Sequence, residues 1–154
     1  MSRRDQIAMT PGEVRDFLEA ERTLVCATAG SAGWPHLMPL WYVVRDGQLW
    51  AWTYAKSQKV RNLERDPRAT LQIEAGEQYQ ELRGVMIEAE TVIHRELEAV
   101  SRLGGELIER YAPPGSVLPG VTDAVRSQAA KRVALQFVPR RTASWDHRKL
   151  AGTY

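Results

Sequence analysis

Lys56, Ser57 and Lys59 fall in the first turn of a short helix that S-Q-K-V-R-N-L-E-R predicts, directly after a strand ending at Trp52-Thr53. Cations are the unfavourable choice at that place, because a helix N-terminus already carries partial positive charge. Free backbone N–H groups, a hydroxyl and two ammonium groups together suit a phosphate supplied from outside the chain. Arg61 and Arg65 continue the charge along the helix, so the residues taken alone also fit a solvated basic surface.

Other groups that could do chemistry are sparse. His36 follows Pro35 on a predicted strand and is a weak candidate for a proton donor, against a structural or exposed role. His94 is isolated, and Asp146-His147 are neighbours on an extended segment, where consecutive side chains point to opposite faces. Cys26 is the lone cysteine, so an intrachain disulfide and a cysteine-based zinc site are both excluded. Its setting, T-L-V-C-A-T-A, reads as a buried and inert position. No catalytic triad, acid pair or metal site emerges.

The elements that must position these groups follow from patterning. Thr10-Pro11-Gly12-Glu13 is a capping box with Pro at the first helical position, predicting a helix over 11–21 with Val14, Phe17 and Leu18 on its apolar face. Strands are expected at 23–29 and 34–44, the second turning at Asp46-Gly47 into a return strand over 49–54. The 57–65 helix stops before Asp66-Pro67. Further strands are expected at 69–75 and 82–94, then a helix over 96–111 carrying Leu97, Val100, Leu103, Leu107 and Ile108. A breaker-rich loop over 112–120, a short helix near 122–130, a strand over 133–138 and an added strand in R-R-T-A-S-W-D-H-R-K-L complete the chain. Six or seven strands joined by short turns, with three or four peripheral helices, predict a mainly β, antiparallel barrel or sandwich. No G-x-G-x-x-G follows a strand, which argues against a dinucleotide-binding sheet.

Composition sets the wider bounds. With 154 residues, 44% hydrophobic and 26% charged, the chain reads as one soluble domain over 1–154. A net charge of +2, with basic residues interleaved among acidic ones, is unlike a nucleic-acid footprint. The N-terminus has no apolar signal core and no run reaches membrane-spanning length, so a cytoplasmic protein is expected. Trp34, Trp41, Trp50 and Trp52, four of the five tryptophans, crowd the hairpin that leads into the lysine-bearing helix.

The runs W-P-H-L-M-P-L-W-Y from Trp34, S-Q-K-V-R-N-L from Ser57 and D-P-R from Asp66 resemble the pyridoxamine-phosphate-oxidase-like split β-barrel family. More closely, they are similar to its branch of flavin- and deazaflavin-dependent oxidoreductases. The resemblance covers about 17–94 well and the remainder in layout. It implies a homodimer of split barrels with FMN or the deazaflavin F420 in a groove between subunits, and a small organic molecule as the second substrate. It further implies that Lys56, Ser57 and Lys59 hold the cofactor phosphate, with Thr53 and Tyr54 at its border. Pro39, Leu40 and Trp41 would run along the ring and ribityl chain. Trp145 and Arg148 could cap the pocket of a neighbouring subunit, or simply pack the barrel mouth and form a solvated tail.

F420 carries an oligoglutamate tail beyond its phosphate, for which Arg61, Arg65, Arg68, Arg140, Arg141 and Arg148 are the candidates. On that ground F420 is preferred to FMN. The reaction expected is hydride transfer to an enone, quinone-like, tetrapyrrole or nitro-aromatic acceptor. The alternatives are an FMN oxidoreductase, a flavin-storing or haem-binding protein with His36, His94 or His147 as haem ligand, and a plain dimeric interaction module. The substrate-binding arginine and histidine set of pyridoxamine-phosphate oxidases proper is not recognisable.

Overall fold

The computed structural model describes residues 2–116 and 120–150; positions 117–119 of the expected loop lie outside the described residues. Among the described residues five α-helices and seven strands run α1 (Arg3–Ile7), α2 (Pro11–Ala20), β1 (Leu24–Ala29), β2 (Pro35–Leu40), β3 (Val43–Arg45), β4 (Gln48–Tyr54), α3 (Gln58–Arg65), β5 (Arg68–Ala75), β6 (Arg83–His94), α4 (Leu97–Tyr111), α5 (Asp123–Ala129) and β7 (Arg132–Asp146). All strand pairs are antiparallel, in the order β2-β1-β5-β6-β7-β4-β3.

The two outer strands of that order, β2 and β3, are separated in the chain only by Trp41 and Tyr42. Three peptide steps from Leu40 to Val43 span at most about 11 Å, so the two edges of the sheet must meet and the sheet closes on itself. The result is a split β-barrel. Alternation along the strands fills it. Leu24, Cys26, Leu49, Ala51, Leu71, Ile73, Val85, Leu135 and Phe137 face inward and are almost fully buried. Phe17 and Leu18 of α2 join that cluster. A second cluster lies outside the wall, where Val100, Leu103 and Leu107 of α4 and Ala129 of α5 cover Val43 and Ala134. Gly104 allows α4 to approach: a Cβ there would lie 2.4 Å from the Trp52 ring.

Three sequence expectations need correction. The strand expected over 34–44 is two strands on different partners, because the chain leaves β1 and joins β4 within two residues. The C-terminal segment is one 15-residue strand rather than two. Pro139 and Arg140 sit where the β6–β7 register shifts, between the Glu88–Arg141 and Ala89–Pro139 pairs. A bulge absorbs the missing N–H of the proline without ending the strand. Finally, α1 was not anticipated, although Ser2 and Asp5 form a capping box around it.

Candidate functional site: two gaps in one barrel

The strand pair around the Asp46-Gly47 turn fixes how the barrel is split. Asp46 and Gly47 both have positive φ (50° and 74°), the geometry of a tight two-residue hairpin. Its register, Arg45 opposite Gln48 and Val43 opposite Trp50, would place Trp41 opposite Trp52 and Pro39 opposite Tyr54 if it continued. It stops at Val43. From Leu40 back to Pro35 the chain pairs instead with β1, Leu40 opposite Leu24 and His36 opposite Thr28. Each half of this stretch thus leaves one edge unpaired, and the barrel has two gaps.

One gap, between β3 and the start of β1, is plugged. Tyr42 is fully buried and its hydroxyl donates to the Leu18 carbonyl (2.7 Å). Arg110, at the end of α4, donates to the carbonyls of Leu18, Glu19 and Glu21 at 3.0–3.1 Å, supplying donors to the exposed C-terminus of α2. The Tyr111 hydroxyl accepts from the Tyr42 N–H (2.9 Å) and donates to the Arg22 carbonyl (2.6 Å). Burial keeps the Tyr42 phenol neutral, its pKa pushed well up against the opposing pull of the Arg110 guanidinium.

The other gap lies between β2 and the second half of β4, and α3 starts at its end. Hydrogen-bonded pairs alternate in an antiparallel ladder, so the Trp41 N–H and C=O and the Pro39 C=O face this gap. At its floor Lys59 is 6% exposed, and its ammonium donates to the Thr53 hydroxyl (3.0 Å). Burial lowers the Lys59 pKa, and among the described residues no carboxylate pairs with it to restore the charge. Ser57 is the N-cap of α3, yet its hydroxyl makes no capping bond, and its Oγ is buried without a partner. The first-turn amides of α3 have no acceptor within the helix. Beside them Asn62, fully buried, donates to Thr28 Oγ1 (3.0 Å) and accepts from Gln58 (2.9 Å). His36, opposite Thr28, has a buried Nδ1 with no partner. Cys26, also against Lys59, is pushed up to about 12 by burial and is inert as a thiolate.

The structure therefore brings Thr53, Ser57 and Lys59 together at one end of the open gap, and puts Pro39, Leu40 and Trp41 along its edge. Lys56 and Tyr54 are exposed at the same end. Trp145 and Arg148 are not there. Thr53 pairs with Val133 near the start of β7, whereas Trp145 lies at the far end of that strand, over Gly84. Arg148 is paired with Asp146 (2.6 Å), and that bond holds the Asp146 carboxyl below its usual range. Within one chain, neither residue can reach Lys59. Of the arginines considered for an anionic tail, Arg65 bonds Ala29 and Asn62, and Arg68, Arg140, Arg141 and Arg148 pair with Asp66, Glu90, Glu88 and Asp146. Arg61 makes no such bond among the described residues, and neither do Lys56 and Lys131.

Sequence reasoning missed Thr28, Asn62, Arg110 and Tyr111. Asn62 could have been found, since it lies three residues from Lys59 on the inward face of α3. Thr28 shares inward parity with Leu24 and Cys26. Nothing local marks Arg110 or Tyr111, which act on segments about 70 to 90 residues away.

The surface beyond the gap is notable for what it exposes. Trp34, Leu37, Met38 and Trp41 are 81%, 56%, 42% and 58% exposed along β2 and its ends. Behind them, on the outer face of the barrel, lies a groove of about 550 Å³ floored by Ala27, Ala29, Pro35 and Thr70 and rimmed by Glu88 and Arg140. Its lining takes in Thr28, the acceptor of Asn62, but not Thr53, Ser57 or Lys59. No helix of the described residues is long and apolar enough to cross a membrane.

A profile of the pyridoxamine 5'-phosphate oxidase family matches residues 10–146. Among solved structures, the conserved hypothetical protein Rv2991 of Mycobacterium tuberculosis is 43% identical with a TM-score of 0.89, covering 100% of this chain and 95% of that one. A putative 5-nitroimidazole antibiotic resistance protein of Bacteroides thetaiotaomicron shares the fold at 9% identity (TM-score 0.72, 90% and 85% covered). An F420 reductase does so at 19% identity (TM-score 0.66, 84% and 94% covered). No curated protein matches the sequence.

Proposed function

This chain belongs to the pyridoxamine 5'-phosphate oxidase family, and from that premise we propose that it is an oxidoreductase that seats F420 in the open gap of the barrel. The observation that carries the reading is the pairing of a buried ammonium with an orphaned hydroxyl at the start of α3. Among the described residues, Lys59 has only the neutral Thr53 hydroxyl as a hydrogen-bond partner, and the Ser57 hydroxyl has none. A buried cation and an unpaired buried hydroxyl are both costly, and a phosphate satisfies both together with the first-turn amides.

Lys59 and Ser57, with Thr53 holding the ammonium in place, would bind the phosphate. The gap-facing backbone of Pro39 and Trp41 would take the polar edge of the ring. A deazaflavin held there would supply hydride transfer to an electron-poor acceptor such as an enone, quinone, tetrapyrrole or nitro-aromatic. The protein's part is to position the ring and exclude water. His36 Nδ1, buried and unpaired beside Thr28, is the group available to hold a proton.

F420 is favoured over FMN by three cations that make no side-chain hydrogen bond or ion pair among the described residues. Lys56 precedes Ser57, Arg61 follows it by one turn, and the Lys131 carbonyl accepts from Ala55 (3.0 Å), which brings Lys131 beside Lys56. They surround the phosphate end, where a polyanionic tail would leave the gap. FMN lacks such a tail and is the second reading. The apolar side chains along β2 support a homodimer in which a second copy covers the cofactor, the one arrangement that would also bring Trp145 and Arg148 to it.

The test is a fluorescence titration of the protein with F420 and, in parallel, with FMN and with F420 stripped of its glutamates. Micromolar or tighter F420 binding that weakens when the tail is removed is the expected result. A preference for FMN moves the protein to the flavin reading, and binding of neither cofactor overturns the proposal.

A further inference from the structure

Strand 35–45 changes partners at Trp41-Tyr42, and one residue holds both of these positions. In the β1–β2 register Leu24 faces Leu40, so the same ladder two residues on would set Arg22 opposite Tyr42. The direct Tyr42 N–H to Arg22 C=O bond of that rung is absent. The Tyr111 hydroxyl stands in its place, 2.9 Å from the nitrogen and 2.6 Å from the Arg22 oxygen, with the Tyr42 carbonyl as a longer, competing acceptor at 3.0 Å. An oxygen inserted into a rung separates its two members by roughly 2 Å more than a direct bond does. Tyr42 is therefore displaced from β1 toward β4, and Val43 begins the pairing with Trp50.

Tyr111 also holds Trp41. The two rings are stacked at 4.3 Å with an interplanar angle of 6°. Behind them the guanidinium groups of Arg22 and Arg110 lie 5.6 and 5.9 Å from the Tyr111 ring. The backbone of Trp41 is the gap-facing edge described above, so what fixes Trp41 fixes that edge.

We propose that Tyr111 is a positioning residue for the open gap: its hydroxyl props the Arg22–Tyr42 rung apart and thereby sets where the Trp41 edge lies relative to β4. The inference rests on the gap being the cofactor seat, but its structural half does not. Tyr111 touches neither Lys59 nor Ser57 and acts only through strand 35–45.

Tyr111→Phe keeps the ring stack and removes the inserted oxygen, letting the rung close directly or leaving it unbonded. In the cofactor-free protein, amide hydrogen exchange across 41–43 and 51–54 should change several-fold while the β5–β6 amides stay as they were. F420 or FMN, whichever the wild type binds, should bind about tenfold more weakly. Tyr42→Phe is the control. It removes the hydroxyl bond to Leu18 in the same plug, lowers the melting temperature comparably, and leaves affinity and the 51–54 exchange unchanged. Unaltered exchange in Tyr111→Phe overturns the inference whether or not a cofactor binds. So does an equal loss of affinity in both variants, which would trace to general loosening. A wild type that binds neither cofactor fails the functional reading alone, and the exchange pattern then decides this one.

Discussion

The two gaps of this barrel are built from the same stretch of chain and differ in how their polar groups are satisfied. In the plugged gap, Tyr42, Arg110 and Tyr111 find carbonyls of α2 and of Arg22, and of their polar side-chain atoms Arg110 Nε alone is buried without a partner among the described residues. In the open gap a lysine is buried against one neutral hydroxyl and a serine hydroxyl against nothing. Folding satisfies buried polar groups where it can, because each one left unpaired costs on the order of 1–3 kcal/mol. The plugged gap bears that cost at one nitrogen of a guanidinium whose other nitrogens are bonded, whereas the open gap bears it at a whole hydroxyl beside an ammonium held by one neutral oxygen, and the proposed phosphate would relieve both.

Substitutions should separate the two gaps by which quantity they move. The largest effect is expected from Arg110→Ala, which strips three carbonyls of a charged donor. It should cost on the order of 3 kcal/mol, visible as a lower midpoint in chemical unfolding without cofactor. Lys59→Met should do the reverse to stability, because a buried charge is replaced by an apolar chain of similar length. Its unfolding midpoint should rise, while cofactor affinity drops by about 1.5–3 kcal/mol, the value of a charge-assisted bond. If Lys59→Met unfolds as easily as Arg110→Ala, the ammonium is structural and the contrast is lost.

Ser57→Ala sharpens the comparison. Its oxygen caps nothing and bonds nothing in the cofactor-free protein, so stability should stay within about 0.5 kcal/mol. Calorimetric affinity should fall by about 1 kcal/mol. The smallest effect is a pH dependence. Lys59 titrates below its ordinary 10.5 in the folded state, so between its folded and unfolded values the unfolded chain holds more protons. Stability of the cofactor-free protein therefore rises with pH in that window. Phosphate binding needs the protonated amine and weakens over the same range. Both slopes should vanish in Lys59→Met; a slope that persists would belong to another group.

Strand existence and the antiparallel class were legible in the sequence because alternation and the Asp46-Gly47 turn are local signals. The α3 cluster was legible for the same reason, since Lys56, Ser57 and Lys59 are neighbours. The division of 34–44 into two strands was not, because the cause is a hydroxyl on Tyr111, some seventy residues later. Periodicity does not register a contact at that separation. The long β7 was misjudged at Pro139 because the rule against proline in a strand holds for regular ladders, and a bulge relieves it. The arginines offered for an anionic tail failed differently: charge was read from composition, and in the fold most had carboxylates of their own.

The hand-over at Trp41-Tyr42 has a consequence for how the chain finds its register. A β-strand that slips by one residue turns every side chain to the wrong face. Here β2 and β3 are consecutive strands joined by Trp41-Tyr42 alone, so a slip against β1 has to be matched by a slip against β4, with only two residues between to take up slack. Each ladder thus proofreads the other, and lengthening the Trp41-Tyr42 link by one residue would uncouple them.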